Sequence, residues 1–232
     1  MPTLHRILLG ITHVYLIEGV HGYLLIDAGS RAMAPVFWRA LKRRGISPDQ
    51  IRLIAITHVH FDHVGSLRPI HARCGCPVLV HRAEAGLLAR GKVVLPPGTR
   101  PLTRLLTRLA RRRPRFIQRI FRFDPVVPTH AIEGPLDLAP FGFEARVVPT
   151  PGHTAGSLSV VAASGRAFVG DLAVNYRPGG RGPFLPPFGD SLPMVRKSWR
   201  TLMAMGVSTF YPAHGRPFNP QSGRRAGLPA NP

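Results

Sequence analysis

The stretch THVHFDHVG, residues 57–65, holds three histidines and an aspartate within six positions, His58 to His63. All four are donors of the kind that bind zinc and related divalent ions. The run before it, IRLIAIT (51–57), is continuously apolar and of strand length, as expected of a strand buried on both faces. After it, a helix is expected to begin near His63–Gly65 and to run to about Arg73. His58 and His60 are two apart, so an extended loop points both the same way. Asp62 and His63 come where the chain turns into the helix and can face a second ion. A histidine cluster of this kind also arises by chance in a basic surface loop, so the rest of the chain must decide.

Three later fragments bear on that choice. TPGHTAGS (150–157) sets His153 in a Gly/Pro loop before a strand. FVGDLA (168–173) sets Asp171 at the end of an apolar strand, and YPAHG (211–215) sets His214 at the end of the last strand. Each alone reads equally well as a capping Asp or a surface His. Together, in this order after the first cluster, they read as one constellation.

Around these fragments the pattern is mixed α/β. Strands are expected at 13–19 and 22–28 as a hairpin, at 77–81, 130–138, 142–149, 157–162 and 166–170, and at 207–212. Helices are expected over 31–44, stopped by Gly45, and over 191–205. No fixed-period repeat is visible.

The order T-H-x-H-x-D-H, then P-G-H-T, then G-D, then A-H-G resembles the metallo-β-lactamase-fold hydrolases, and the likeness runs from about residue 13 to 216. It implies a four-layer αββα sandwich with two metals at one edge. It further implies that His58, His60 and His153 hold one metal, that Asp62, His63 and His214 hold the other, and that Asp171 bridges them. Asp27, in LIDAG, corresponds to an acid that steadies the metal loop from behind, and Thr154 is expected to support the same shell. Plain strand-end capping is the alternative for Asp27.

On this resemblance the cofactor is two Zn²⁺ per chain, with Fe or Mn as alternatives. Two divalent ions bring four positive charges, and Asp62 and Asp171 return two negative ones. A water held between such ions loses a proton near neutral pH and becomes a nucleophile, so the reaction class is hydrolysis. An acid at Asp171 speaks against the true zinc β-lactamases and for the lactonase and glyoxalase-II-like branches. The expected substrate is a small acyl compound, a lactone or ester first, with β-lactam cleavage as a side activity. Tyr176, five residues past Asp171, resembles the tyrosine by which lactonases of this fold donate to the carbonyl oxygen, although its spacing departs from theirs. A packing tyrosine is the alternative. A glyoxalase-II-like thioesterase and a nuclease are alternative activities, although the chain stops short of the helical glutathione region of the former. An iron-dependent persulfide dioxygenase, using residues equivalent to His58, His153 and Asp171, is the alternative outside hydrolysis.

One domain over 1–232 is expected, with a basic insert at about 90–125 and a Pro/Gly/Arg-rich, partly ordered tail from about 217. The formal charge is +20, nearly all of it arginine. Eleven of those cations lie between Arg90 and Arg122, and no acidic residue lies between Glu84 and Asp124. Leu102, Leu105, Leu106 and Leu109 recur at helical spacing, with Arg104, Arg108, Arg111 and Arg115 largely opposite, and Pro114 interrupts the helix. Phe116, Ile117, Ile120 and Phe121 resume the apolar face. Three readings stand: a lid whose leucine and phenylalanine face covers the metal cleft, a solvated arm or homodimer contact, or a surface for weak, non-specific binding to nucleic acid or anionic membrane. Cys74 and Cys76 form no disulfide framework and read as a helix end before a strand. No secretory leader and no apolar stretch approaching ~18–20 residues is present, so a cytoplasmic protein is expected.

Overall fold

The structure, a computed structural model, describes residues 3–176 and 185–221. The expected tail beyond Gln221 lies outside the described residues. Six strands form the first sheet in simple order: β1 (Leu4–Leu9), β2 (Thr12–Gly19), β3 (Gly22–Ile26), β4 (Ile51–Ala55), β5 (Val78–His81) and β6 (His130–Ile132). The first three are antiparallel, and β3 to β6 run parallel. The second sheet runs β11 (Thr209–Gly215), β10 (Arg166–Asn175), β9 (Leu158–Ala162), β8 (Ala145–Pro149) and β7 (Leu136–Asp137).

Period-two alternation assigns each apolar run to two different cores. In β2, Val14 and Leu16 face one way and Tyr15 and Ile17 the other. In β4, Ile54 joins the first set, and Leu53 and Ala55 join the second. The second set meets Val147, Leu158, Val160 and Phe168 of the other sheet, closing a core between the sheets. The first set packs under helices α1 (Ala34–Lys42), α3 (Leu67–Cys74) and α4 (Arg82–Arg90), through Phe37, Leu41, Ile70 and Leu88. On the far side, α7 (Leu192–Ala204) packs Val195, Trp199 and Leu202 on Val169, Leu172 and Phe210. Helix, sheet, sheet, helix is the expected αββα order. The buried Tyr15 hydroxyl donates to the Pro212 carbonyl at 2.6 Å, a polar tie across the two sheets.

Several elements depart from expectation. β1 was not anticipated; it pairs with β2 through a tight turn at Gly10, whose φ is +80°. α4 was also unanticipated, although its N-cap is legible: the His81 ring accepts from the Ala83 N–H. The single strand expected over 130–138 is two short strands in different sheets, β6 and β7. β10 runs on to Asn175 rather than stopping at 170, so Asp171 lies inside a strand, not at its end. Its pairing with β11 slips between Phe168 and Gly170 and again between Gly170 and Val174. That irregularity aims Asp171 inward, as bulges beside functional sites do.

Helix α5 (Pro101–Arg111) and helix α6 (Pro114–Ile120) form the insert, broken before Pro114 as expected. The insert does cover the cleft described below, through Val94, Leu95, Thr107 and Phe121, but not with the leucine row of α5. Thr107 is buried and lines the cleft, whereas Leu102, Leu105, Leu106 and Leu109 are 68, 54, 53 and 48% exposed. Threonine turns inward because its hydroxyl finds partners there, accepting from the Gly98 N–H and donating to the Thr103 carbonyl. Among the described residues, no helix is long and apolar enough to cross a membrane.

Candidate metal centre

The loop after β4 and the short helix α2 (Phe61–Val64) carry His58, His60, Asp62 and His63. The β8–β9 loop brings His153, β10 brings Asp171, and β11 brings His214. All are buried except Asp171, which is half-buried. Gly65 allows the turn: a Cβ there would strike the backbone of Arg31 and the Phe61 carbonyl.

Donor atoms converge in three groups, His58/His60/His153, His58/His63/Asp171 and Asp62/His63/His214, with the atoms of each group within 4.8 Å of one another. His153 Nε2 lies 3.1 Å from His58 Nε2 and 3.0 Å from His60 Nδ1. His214 Nε2 lies 3.2 Å from Asp62 Oδ2. Asp171 reaches both halves: Oδ1 is 3.3 Å from His63 Nε2 and from His214 Nε2, and Oδ2 is 3.5 Å from His153 Nε2. All seven residues expected to act together are thus brought together.

Their outer atoms are held in place. His63 Nδ1–H donates to Asp27 Oδ2 at 2.8 Å. Asp27, at φ 61°, also accepts the Thr57 N–H and hydroxyl, each at 2.8 Å. With its proton committed to Asp27, Thr57 Oγ1 accepts from His58 Nδ1 at 3.1 Å. His153 Nδ1–H donates to the Phe188 carbonyl and His214 Nδ1–H to the Ile11 carbonyl, both at 2.9 Å. These bonds fix Nδ1 as the outward donor and turn each Nε2 towards the cluster, so that a metal taking up Nε2 would find the arrangement typical of ligating histidines. Thr12 donates to Asp62 Oδ2 at 3.1 Å.

The electrostatics divide the cluster in two. Burial, then the neighbouring His63, His60 and His153, hold His58 well below the ordinary histidine range. Burial likewise takes His60 down to about 3, with His153 adding to the effect. Burial also opposes charge on His63, but Asp27, Asp171 and Asp62 outweigh it and raise His63 to about 10. His214 is raised to about 12 against its burial, by Asp171 and Asp62. Burial works against the Asp171 carboxylate too, yet His214, His63 and His153 hold it well below its usual range. Buried His63 Nε2 and Asp171 Oδ1 have no hydrogen-bond partner. Two orphaned polar atoms and three neutral nitrogens turned on one another are what cations would satisfy. Donors about 2.0–2.1 Å from one tetrahedral zinc lie roughly 3.3 Å apart, close to the nitrogen separations here. The donor set therefore fits divalent metal ions.

Two further residues stand behind the donor loop. Thr154, next to His153 in the chain, donates its hydroxyl to Glu84 and lies 2.9 Å from Ser157 Oγ. Glu84 was missed. It sits in the first turn of α4, is 4% exposed, and accepts the Val59 N–H between His58 and His60. Its only sequence signal is position, as the last acid before the long basic stretch.

The cleft above the cluster is about 280 Å³, walled by Ile11, Phe61, Val94, Leu95, Phe121 and Val174 among others. Apart from Asp62, Asp171 and the histidines, no charged side chain lines it among the described residues. Tyr176 stands at its rim, 57% exposed, with its ring centroid 5.8 Å from that of His214.

Residues 7–214 match the family described as the metallo-beta-lactamase superfamily. The probable metallo-hydrolase YflN of Bacillus subtilis is 32% identical over 181 residues, which cover 73% of this chain and 63% of that protein. The probable metallo-hydrolase MJ0888 of Methanocaldococcus jannaschii is 28% identical over 205 residues, 87% of this chain and 86% of that one. The acyl-coenzyme A thioesterase MBLAC2 of Gallus gallus is 31% identical over 153 residues, 63% of this chain and 51% of its own. Among solved structures, TTHA1623 in a di-iron-bound form superposes with a TM-score of 0.65 at 23% identity, covering 93% of this chain and 94% of its own, a likeness of fold alone. A two-sheet sandwich with its donor cluster at one end and a family match over nearly its whole length make this chain a member of the metallo-beta-lactamase superfamily.

Proposed function

We propose that this protein is a dinuclear metal-dependent hydrolase of an apolar acyl compound, a lactone or related ester first, with β-lactam cleavage as a side activity. In this reading His58, His60 and His153 would hold one zinc ion and Asp62, His63 and His214 the other, with Asp171 placed to serve both groups. Bound there, two divalent ions activate water as the nucleophile and polarise the acyl carbonyl. The chain's own part is orientation and exclusion. Asp27, Thr57 and Glu84 hold the donor loop. The apolar walls keep bulk water from the reacting carbonyl. Tyr176 donates a hydrogen bond to the oxygen on which charge develops. Its hydroxyl carries its proton at neutral pH, and partial desolvation, opposed by His214 and aided by Asp171, moves its pKa further up.

The observation that carries the acyl reading is the cleft wall. In a chain of net charge +20, the cleft is lined by no arginine or lysine among the described residues. Among the described residues a phosphodiester would find no cation there beyond the metals, whereas an aliphatic acyl group would find apolar contact on most sides. The two free cysteines suit a reducing compartment, and we place the reaction in the cytoplasm.

One second reading has its own observation. A hollow of about 210 Å³ lined by Arg104, Arg108 and Arg111 shares Thr107 with the cleft. It would take the phosphates of a thioester carrier, and a thioesterase is among the relatives. A panel of lactones, aliphatic esters, acyl-coenzyme A thioesters, cephalosporins and phosphodiesters, each with and without chelator, tests both. Chelator-sensitive turnover of uncharged esters supports the first reading, and preference for acyl-coenzyme A supports the second. Preference for phosphodiesters overturns both. Elemental analysis after growth with zinc and iron is expected to find two zinc ions per chain. One iron and no zinc would point instead to dioxygenase chemistry.

A further inference from the structure

The insert presents to solvent what a soluble surface normally hides. Leu102, Leu105, Leu106 and Leu109 lie along the outer side of α5, and Phe116 and Ile120 continue the apolar surface on α6; all six are about half exposed or more. Large apolar side chains grouped in this way mark an interaction surface. The same insert carries eleven cations, from Arg90 to Arg122; Arg104, Arg108 and Arg111 line the hollow on the Thr107 side of α5, and Arg112, Arg113, Arg115 and Arg119 are exposed around the α5–α6 junction and α6. Among the described residues, none of the eleven is in ion-pair contact with a carboxylate.

The chemistry of the occupant follows from needing both features at once. A nucleic acid would neutralise the arginines but leave the leucine row in water. A second copy docked on the same face would bury the leucines, but would bring two sets of eleven cations together with no acid between Glu84 and Asp124 to offset them. An anionic bilayer satisfies both, because leucine and phenylalanine enter the headgroup–acyl boundary while guanidinium groups stay at the phosphates. We propose that α5 and α6 dock this protein peripherally on anionic phospholipid membranes. The inward side of α5 places Thr107 on the cleft wall. Docking through the outer side therefore holds the cleft close to the lipid surface, where apolar acyl compounds partition. The docking itself is independent of which metal or substrate the cleft takes.

The test is flotation of the full-length protein with vesicles of phosphatidylcholine alone, or mixed with phosphatidylglycerol, over a range of salt. Binding is expected to be about tenfold or more tighter to the anionic vesicles and to weaken as salt rises. Leu105→Glu/Leu109→Glu is expected to lower that affinity by about tenfold or more, with metal content and melting temperature unchanged. Arg112→Ser/Arg113→Ser/Arg115→Ser, which alters only exposed residues, is expected to remove most of the preference for anionic lipid while the leucines remain. Equal flotation with and without phosphatidylglycerol overturns the proposal. So does full binding by the leucine variant, which would mean charge alone. A dimer that the leucine variant dissociates, with no vesicle binding by the native chain, assigns the face to self-association instead. Tight, leucine-insensitive binding to duplex DNA would assign it to nucleic acid.

Discussion

Asp171 is the one carboxylate of the cluster in ion-pair range of histidines from both halves, His153 on one side and His63 and His214 on the other. Loss of a residue that only supports a ligand costs roughly ten- to hundredfold in metal affinity, so loss of the shared carboxylate should cost more. Asp171→Ala is expected to lower bound zinc below two per chain, by elemental analysis, and activity by more than about a hundredfold. Tyr176→Phe should leave metal content intact and lower kcat about 10²–10³-fold, as removal of an oxyanion donor does; an unchanged kcat would make Tyr176 a packing residue. The seven residues that converge were legible in the sequence because their types and order resemble one family's ligand pattern, and four of them fall within one turn of loop and helix. Glu84 was not legible, since its partners Val59 and Thr154 lie 25 and 70 positions away and only folding brings them near. Replacing it with Ala strands two donors, at a cost of about 1–3 kcal/mol for each one left buried without a partner. Glu84→Ala should therefore lower the unfolding midpoint and weaken zinc binding by about ten- to hundredfold, measured by competition with a chromophoric chelator.

At the scale of elements, periodicity located the long buried strands and failed where an element is short or its partner decides it. β6 and β7 were read as one strand although Gly134-Pro135, a turn signal, stands between them; what the pattern does not tell is that the chain changes sheet there. β10 was cut short at Gly170, which reads as a breaker but in fact makes the bulge. Gly170 sits at φ +51°, and a Cβ on it would fall 2.6 Å from Thr57 Oγ1. Thr57 is the hydroxyl that joins Asp27 to His58, so an intrusion there reaches the metal loop at once. Gly170→Ala is expected to destabilise the fold by about 1–3 kcal/mol, the usual cost of overpacking, and to weaken metal binding with it, read as a lowered denaturant midpoint together with faster zinc loss to chelator. The facing of α5 was misread for a different reason. One of its three readings put the apolar stripe on the cleft, but two threonines with backbone partners on the Pro97–Thr99 and Pro186–Pro187 segments turn the opposite side inward.

For the whole molecule, the cluster is the place where both sheets and their loops depend on something beyond the chain. Donors from the first sheet's loop, the β8–β9 loop, β10 and β11 meet in a buried volume in which His63 Nε2 and Asp171 Oδ1, 3.3 Å apart, make no hydrogen bond. Without a cation, the carboxylates hold His63 and His214 charged while burial keeps His58 and His60 neutral beside them, an arrangement that spends stability on buried charge. A ligand that binds only the folded state adds about 2.7 kcal/mol at a hundredfold excess over its Kd. For a chain of this size each kcal/mol shifts the melting temperature by roughly 2–4 °C. Removing the metals with chelator should therefore lower the melting temperature by roughly 5–11 °C per site emptied. Returning zinc should restore it and saturate at two equivalents per chain. The loss should be far smaller in Asp171→Ala, where less metal is bound at the start. A melting temperature that does not respond to chelator, in a protein shown by elemental analysis to have lost its metal, would mean that the two sheets hold the cluster together on their own.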